Sequence, residues 1–161
     1  MATCRILGID PGSRQTGVGV IESDGRYTRH LFSTCLRLGE ATFPERLGII
    51  FTEITQIIRE HRPHTMAIEN VFVSNNAMAA LKLGQARGAA ICAGVVCGLP
   101  IAEYSPREVK QATVGKGAAD KSQVQHMVKI LLSLQGRLQA DAADALAVAL
   151  CHAHTNERLR R

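Results

Sequence analysis

The hydrophobic pattern changes period at Pro44, and that change sets the order in which sheet and helices are built. Before it, the apolar runs are short. Ile6-Leu7-Gly8-Ile9 ends at Asp10, and Pro11-Gly12 stops the run. Gly17 to Ile21 and Tyr27 to Leu36 follow, joined by the turn signal Ser23-Asp24-Gly25. Three strands with short connections predict an antiparallel start. From Pro44 to His61, Leu47, Ile50, Phe51, Ile54, Ile57 and Ile58 recur at helical spacing, with Glu45, Arg46, Glu53, Arg59 and Glu60 opposite. This amphipathic helix ends before Pro63. Met66-Ala67-Ile68 is a short strand leading to Glu69, and Asn75 to Cys97 is a long helix of small residues. Pro100 to Glu103 gives a fifth strand, and Ser105-Pro106 opens a helix running to about Ala112. A loop at Val114-Gly115-Lys116-Gly117 precedes a helix from Lys121 to Leu134, and an alanine-rich helix runs from Gln139 to about His154. The order β-β-β-α-β-α-β-α-α-α predicts an α/β fold in which one sheet carries helices on its faces.

With 161 residues, 46% apolar and 20% charged, the chain has a globular composition, and one domain over residues 1–161 is expected. Its longest apolar stretch, around Ala89 to Val96, is far short of the ~20 residues that span a bilayer. The start MATCRILGIDPG lacks the basic, apolar and small-residue regions of a signal peptide. The five cysteines are odd in number, form no C-x-x-C pair and lie mostly in apolar runs, as buried free thiols do. A cytoplasmic protein is the expectation. The net charge of +5 is uneven: residues 1–103 carry ten basic and nine acidic side chains, residues 104–161 nine and five. A basic last third suits a phosphate-bearing partner, although a solvated basic face has the same composition.

Four carboxylates stand out. Asp10 ends an apolar strand and would project from the carboxyl edge of the sheet, where open α/β sheets bind ligands. An Asx turn before Pro-Gly also explains it. Glu69 ends the second such strand. If that strand pairs in parallel beside the first, Asp10 and Glu69 become neighbours. Asp141 and Asp144 are one turn apart on a helix whose neighbours are Ala, Leu and Val. Their place at a helix start is favourable for anions, but it does not explain why so small-sided a helix carries two charges. Four acids from three elements on one edge would make a hard-oxygen site suited to Mg²⁺, with Mn²⁺ as substitute. Two such ions can clamp a phosphoryl transfer.

Five blocks closely resemble RuvC-type Holliday-junction resolvases: Gly8-Ile9-Asp10-Pro11-Gly12-Ser13, Ala67 to Phe72, Ala80 to Gly88, Val109-Lys110-Gln111 and Gln139 to Ala145. They occur in family order and span about residues 4–154. The resemblance implies a ribonuclease-H-like fold with a five-stranded mixed sheet, a homodimer, and Mg²⁺-dependent nicking of four-way DNA junctions. It further implies cooperation with the RuvA–RuvB branch-migration complex. Position by position, Asp10, Glu69, Asp141 and Asp144 match the family's metal-binding catalytic acids. Phe72 matches an aromatic residue that contacts the distorted junction, and Lys110 and Lys121 match basic residues near the backbone. Read as residues alone, Phe72 between two valines would be core, and both lysines would lie on solvated helix faces. Lys82 and Arg87, in the third block, and Lys116, in a basic loop, are further candidate DNA contacts. Other readings compatible with the residues are a related ribonuclease-H-fold nuclease acting on other branched or RNA-containing substrates, and a non-catalytic junction-binding module.

The remaining motifs point to less. Gly12-Ser13-x-x-Thr16-Gly17 is similar to the phosphate loop of sugar kinases and actin-like ATPases, but one short domain cannot enclose ATP as those two-lobed proteins do. Gly115-Lys116-Gly117 lacks the spacing of a Walker loop. Cys151-His152-Ala153-His154 has the composition of a metal tract, yet residues two apart on a helix diverge, so a structural role is expected. A lone His126 on the Lys121 helix is more in keeping with structure than with proton transfer. Gly84-x-x-x-Gly88 permits close helix approach, either in the core or in a dimer.

Overall fold

The computed structural model describes residues 2–72 and 75–156. Its elements follow the predicted order: β1 (Cys4–Asp10), β2 (Gln15–Ser23), β3 (Thr28–Arg37), α1 (Phe43–His61), β4 (Thr65–Glu69), α2 (Ala77–Val96), β5 (Ile101–Tyr104), α3 (Pro106–Val114), α4 (Lys121–Leu131) and α5 (Ala140–Thr155). The sheet order is β3-β2-β1-β4-β5. β1 and β3 flank β2 antiparallel, while β4 lies parallel to both β1 and β5.

The alternation of strand side chains divides the core. Leu7, Ile9, Val18, Val20, Met66 and Ile68 face α1 and α2, where Ile50, Ile54, Ile57, Ala86, Ala90 and Ala93 meet them. Ile6, Ile21 and Ala67 face the other side and pack on Val109, Val124, Val128 and the Leu146–Cys151 segment of α3, α4 and α5. Ile50 and Ile54 are fully buried, and each contributes about 1.5–3 kcal/mol of apolar burial.

Helix ends are set by caps. Thr42 with Glu45, Ser105 with Glu108 and Asp120 with Gln123 form capping boxes at α1, α3 and α4. α4 ends three residues earlier than its apolar pattern predicts. Leu132 caps it and Ser133 turns left-handed, so Leu132 and Leu134 pack from outside the helix. α3 runs on to Val114 and stops at Gly115, whose φ is +84°. Among the described residues, no helix is long and apolar enough to cross a membrane.

α5 lies close against β1 and β2 because the strands present glycines to it. A Cβ on Gly8 would meet Ala149 Cβ at 2.9 Å and collide with the Ala145 carbonyl; one on Gly17 would collide with the Asp141 carbonyl. Glycine in a strand interior here marks direct backbone approach.

Candidate active site

Strand register brings the first two carboxylates together. Ile9 pairs with Ile68 in the parallel β1–β4 ladder, so Asp10 and Glu69 leave the sheet at adjacent positions on one edge. Period two carries Gly8 and Asp10 to the face covered by α5, and Ala67 and Glu69 likewise. There the first turns of α5 supply Asp141 and Asp144. One oxygen each from Asp10, Asp141 and Asp144 lies within 4.8 Å of the others. Glu69 stands outside that triad but lines a cavity of about 100 Å³ with Asp10, Asp144, Lys110 and Lys121.

Crowded carboxylates resist ionisation. Burial raises Asp10 most, and the neighbouring Asp144, Glu69 and Asp141 push it further, to about 8. Glu69 and Asp144 are also raised, chiefly by burial, with Lys121 pulling each back. Lys121 Nζ is 3.5 Å from Asp144 Oδ2 and is itself held above its ordinary value by that carboxylate. Two lysines, Lys110 and the exposed Lys121, cannot neutralise four acids. The donor set is all hard oxygen, without thiolate or imidazole, and its unrelieved repulsion fits a divalent cation of the Mg²⁺ or Mn²⁺ type.

Cys35 on β3 also borders the site. Its S–H reaches either Gln15 Oε1 at 3.5 Å or Asp141 Oδ2 at 3.8 Å. Pairing of β3 with β2, and the packing of α5 on β2, bring it there across 106 positions of sequence. No local signal marks it.

The expected DNA contacts divide. Lys110 and Lys121 line the acid cavity. Phe72 is 66% exposed, not core, and borders an adjoining hollow with Pro11, Leu83 and Pro106. Lys116 is exposed in the α3–α4 loop and does not line the acid cavity. Lys82 lies elsewhere, with Nζ 5.7 Å from the centre of the Phe43 ring. Arg87 departs from expectation. Its Nε donates to the Glu69 carbonyl at 3.1 Å and its Nη2 to Asn70 Oδ1 at 3.0 Å, and it also pairs with Glu103. The guanidinium is spent on clamping the end of β4 instead of facing outward, so Arg87 fixes the strand that carries Glu69.

The other motifs resolve as structure. Thr16 Oγ1 donates to the Gly12 carbonyl and accepts from the Gly12 N–H, which closes that loop on itself. Cys151 is buried beside the Glu108 carbonyl, His152 Nδ1 meets Tyr104 Oη at 2.7 Å, and His154 Nδ1 meets the Ala112 carbonyl. His126 is exposed and lines no part of the acid cavity. Gly84 and Gly88 have no atom within 4 Å of an added Cβ, so their spacing does not serve the core.

Comparison with known proteins identifies the family and the fold. The family model for crossover junction endodeoxyribonuclease RuvC matches residues 6–152. The crossover junction endodeoxyribonuclease RuvC of Marinobacter nauticus is 58% identical over 156 residues, covering 97% of this chain and 89% of the relative. A structure of Thermus thermophilus RuvC in complex with Holliday junction substrate superposes with a TM-score of 0.88 at 34% identity, over 94% of this chain and 93% of that one. A yeast mitochondrial Holliday junction resolvase shares the fold with a TM-score of 0.69 at 14% identity, covering 98% of this chain and 80% of that one. The sheet is thus the ribonuclease-H-like one expected. Matched over most of its length and more than half identical to a RuvC sequence, the chain belongs to the RuvC family of crossover junction endodeoxyribonucleases.

Proposed function

We propose that this chain resolves four-way DNA junctions by paired, symmetric nicks. The observation that carries this reading is the convergence of Asp10, Asp141 and Asp144, with Glu69 beside them, in a member of this family. Asp10, Asp141 and Asp144 would hold Mg²⁺, or Mn²⁺ in its place, and Glu69 would complete a second position at the rim of the same cavity. When bound, the cations supply Lewis-acid stabilisation of the phosphodiester and lower the pKa of a water molecule. Hydrolysis then breaks the P–O3′ bond and leaves 5′-phosphate and 3′-hydroxyl ends, which a ligase can join.

The chain's own side chains orient the substrate. Lys110 and Lys121 sit where a backbone phosphate would approach the carboxylates, and they offset the repulsion that four acids exert on it. Phe72 offers an exposed ring beside the cavity on which an unstacked base can rest, worth ~1–3 kcal/mol. Lys116 extends the basic surface along the α3–α4 loop. Paired nicks need two sites, and a homodimer supplies them. Support comes from α2, which exposes Leu81, Gly84, Gln85, Cys92 and Val95 at helical spacing. Membership of the family supports cooperation with RuvA–RuvB and action in the cytoplasm.

A nicking assay on a synthetic junction and a matched linear duplex in Mg²⁺ tests the reading. The wild type should cut the junction and spare the duplex. Asp10→Asn should lose on the order of 10³-fold in rate, as removal of several kcal/mol of stabilisation requires, while still binding the junction. Equal cutting of both substrates would sink junction selectivity; an undiminished mutant would sink the metal site.

A further inference from the structure

A second cluster of positive charge begins four residues beyond Asp10. Asp10 is followed by Pro11-Gly12-Ser13-Arg14, a loop that leads into β2. Ser13 and Arg14 line a cavity of about 580 Å³ together with Arg46 near the start of α1, and with Asn76, Ala79 and Lys82 at the start of α2. No carboxylate lines it. Among the described residues, Arg14, Arg46 and Lys82 form no ion pair.

The cluster is built, not incidental. Arg46 is half-buried and tied down: its Nε donates to the Ala41 carbonyl at 2.9 Å and its Nη1 to the Ser13 carbonyl at 3.3 Å. Those two bonds use two of the five N–H groups of the fork, and the rest remain for a ligand. Lys82 is drawn over the Phe43 ring, which aims it toward the start of α1. The first turn of α2 is capped by Asn76 and carries no acidic residue. Three cations that form no ion pair among the described residues, one of them a pre-organised guanidinium, match a phosphate.

We propose that Arg14, Arg46 and Lys82 form a second seat for a DNA backbone phosphate on the strand that runs on from the cut. The seat rests on the resolvase reading for the identity of its ligand. Arg14 follows Asp10 by four residues, so their Cα atoms lie within about 14 Å. One strand of B-DNA advances about 3.4 Å per nucleotide, so the seat lies a few nucleotides from the scissile phosphate. Held at two points, a strand is fixed in direction as well as position over the acids.

Salt dependence of DNA binding tests the seat. Junction affinity of the wild type, Arg14→Ala/Lys82→Ala and Arg59→Ala is measured over a salt series without divalent cation, so that nothing is cut. Arg14 and Lys82 are exposed, and thermal unfolding checks that the double variant keeps its fold. Arg59 lies 13 residues along α1 from Arg46, about 20 Å away, and serves as control. The slope of log K against log salt should flatten by about one to two in the double variant and stay put in Arg59→Ala. A double variant with the wild-type slope, or an equal change in Arg59→Ala, overturns the seat. Loss of the wild type's preference for a junction over a linear duplex would instead count against the resolvase reading, and the slopes measured on duplex would still decide the seat.

Discussion

Asp10 carries a cost that the fold accepts for the sake of its site. In the unfolded chain its carboxyl ionises near pH 4, whereas in the folded protein burial and three neighbouring acids hold it protonated to about pH 8. The folded state therefore binds more protons than the unfolded state between those values, and its stability falls as pH rises through that window. Above about pH 8 both states are ionised and the loss is complete. His30 and His152 act in the opposite sense, because burial depresses both imidazoles and stability is gained as they lose their protons. The informative quantity is accordingly the difference between wild type and Asp10→Asn. Without metal, Asp10→Asn should unfold at a higher temperature, by an amount that grows from pH 5 to pH 8 and then levels. A gap of at least about 1 kcal/mol, or roughly 3 °C in a chain of this size, is expected at pH 8. Millimolar Mg²⁺ should shrink or reverse it, because only the wild type keeps the full ligand set. Calorimetry across pH with and without Mg²⁺ measures this; a metal-free mutant no more stable than wild type at pH 8 would show that the carboxylates do not repel.

α5 puts Asp141 and Asp144 in place only because β1 and β2 let it lie down. Gly17→Ala would drive a methyl group into the Asp141 carbonyl, and backbone cannot swing aside as a long side chain can. Overpacking of this kind costs ~1–3 kcal/mol. Here the strain falls on the residue that must meet Asp10 within 4.8 Å. Gly17→Ala should therefore lower the unfolding temperature and reduce cleavage more than its stability loss explains, even well below that temperature. Gly48→Ala, on the open side of α1 with no atom near an added Cβ, should do neither. Parallel assays of rate and unfolding separate the two effects, and a Gly17→Ala protein with wild-type cleavage would refute the close approach. The same pair of elements shows what can be read from sequence. Strands, helices and their order follow from local period and from caps such as Ser105-Pro106, and the pairing of Asp10 with Glu69 follows from one conditional about a parallel strand. The contacts of Arg87 and Cys35 are not legible in that way. Arg87 meets Glu69 and Glu103 across 18 and 16 positions, and Cys35 meets Asp141 across 106; no local pattern encodes such contacts. Phe72 misleads for a related reason: its valine neighbours describe the chain, whereas its exposure depends on where β4 ends.

Two nicks at matching positions require two acid sites with a fixed separation, and one chain supplies one. The outer face of α2 is suited to hold a second copy. Leu81 is 63% and Val95 58% exposed, while Gly84 and Gly88 between them leave their backbone open to close approach. None of these residues is needed by the core, which α2 reaches through Ala86, Ala90, Ala93 and Gly94 on its other side. Buried in an isologous interface, each apolar side chain contributes twice, once from each protomer. Leu81→Asp should consequently leave the unfolding of the isolated chain almost unaltered yet place two like charges in the interface, shifting sedimentation from dimer toward monomer at micromolar protein. Resolution should suffer in a specific manner. On a junction carried in a supercoiled plasmid, a dimer would deliver both nicks within one bound lifetime and yield linear product; the variant should accumulate nicked circles first. A Leu81→Asp protein that sediments as a dimer and linearises the plasmid directly would move the interface away from α2, and a monomeric variant that still linearises it directly would show that paired cutting does not need the dimer.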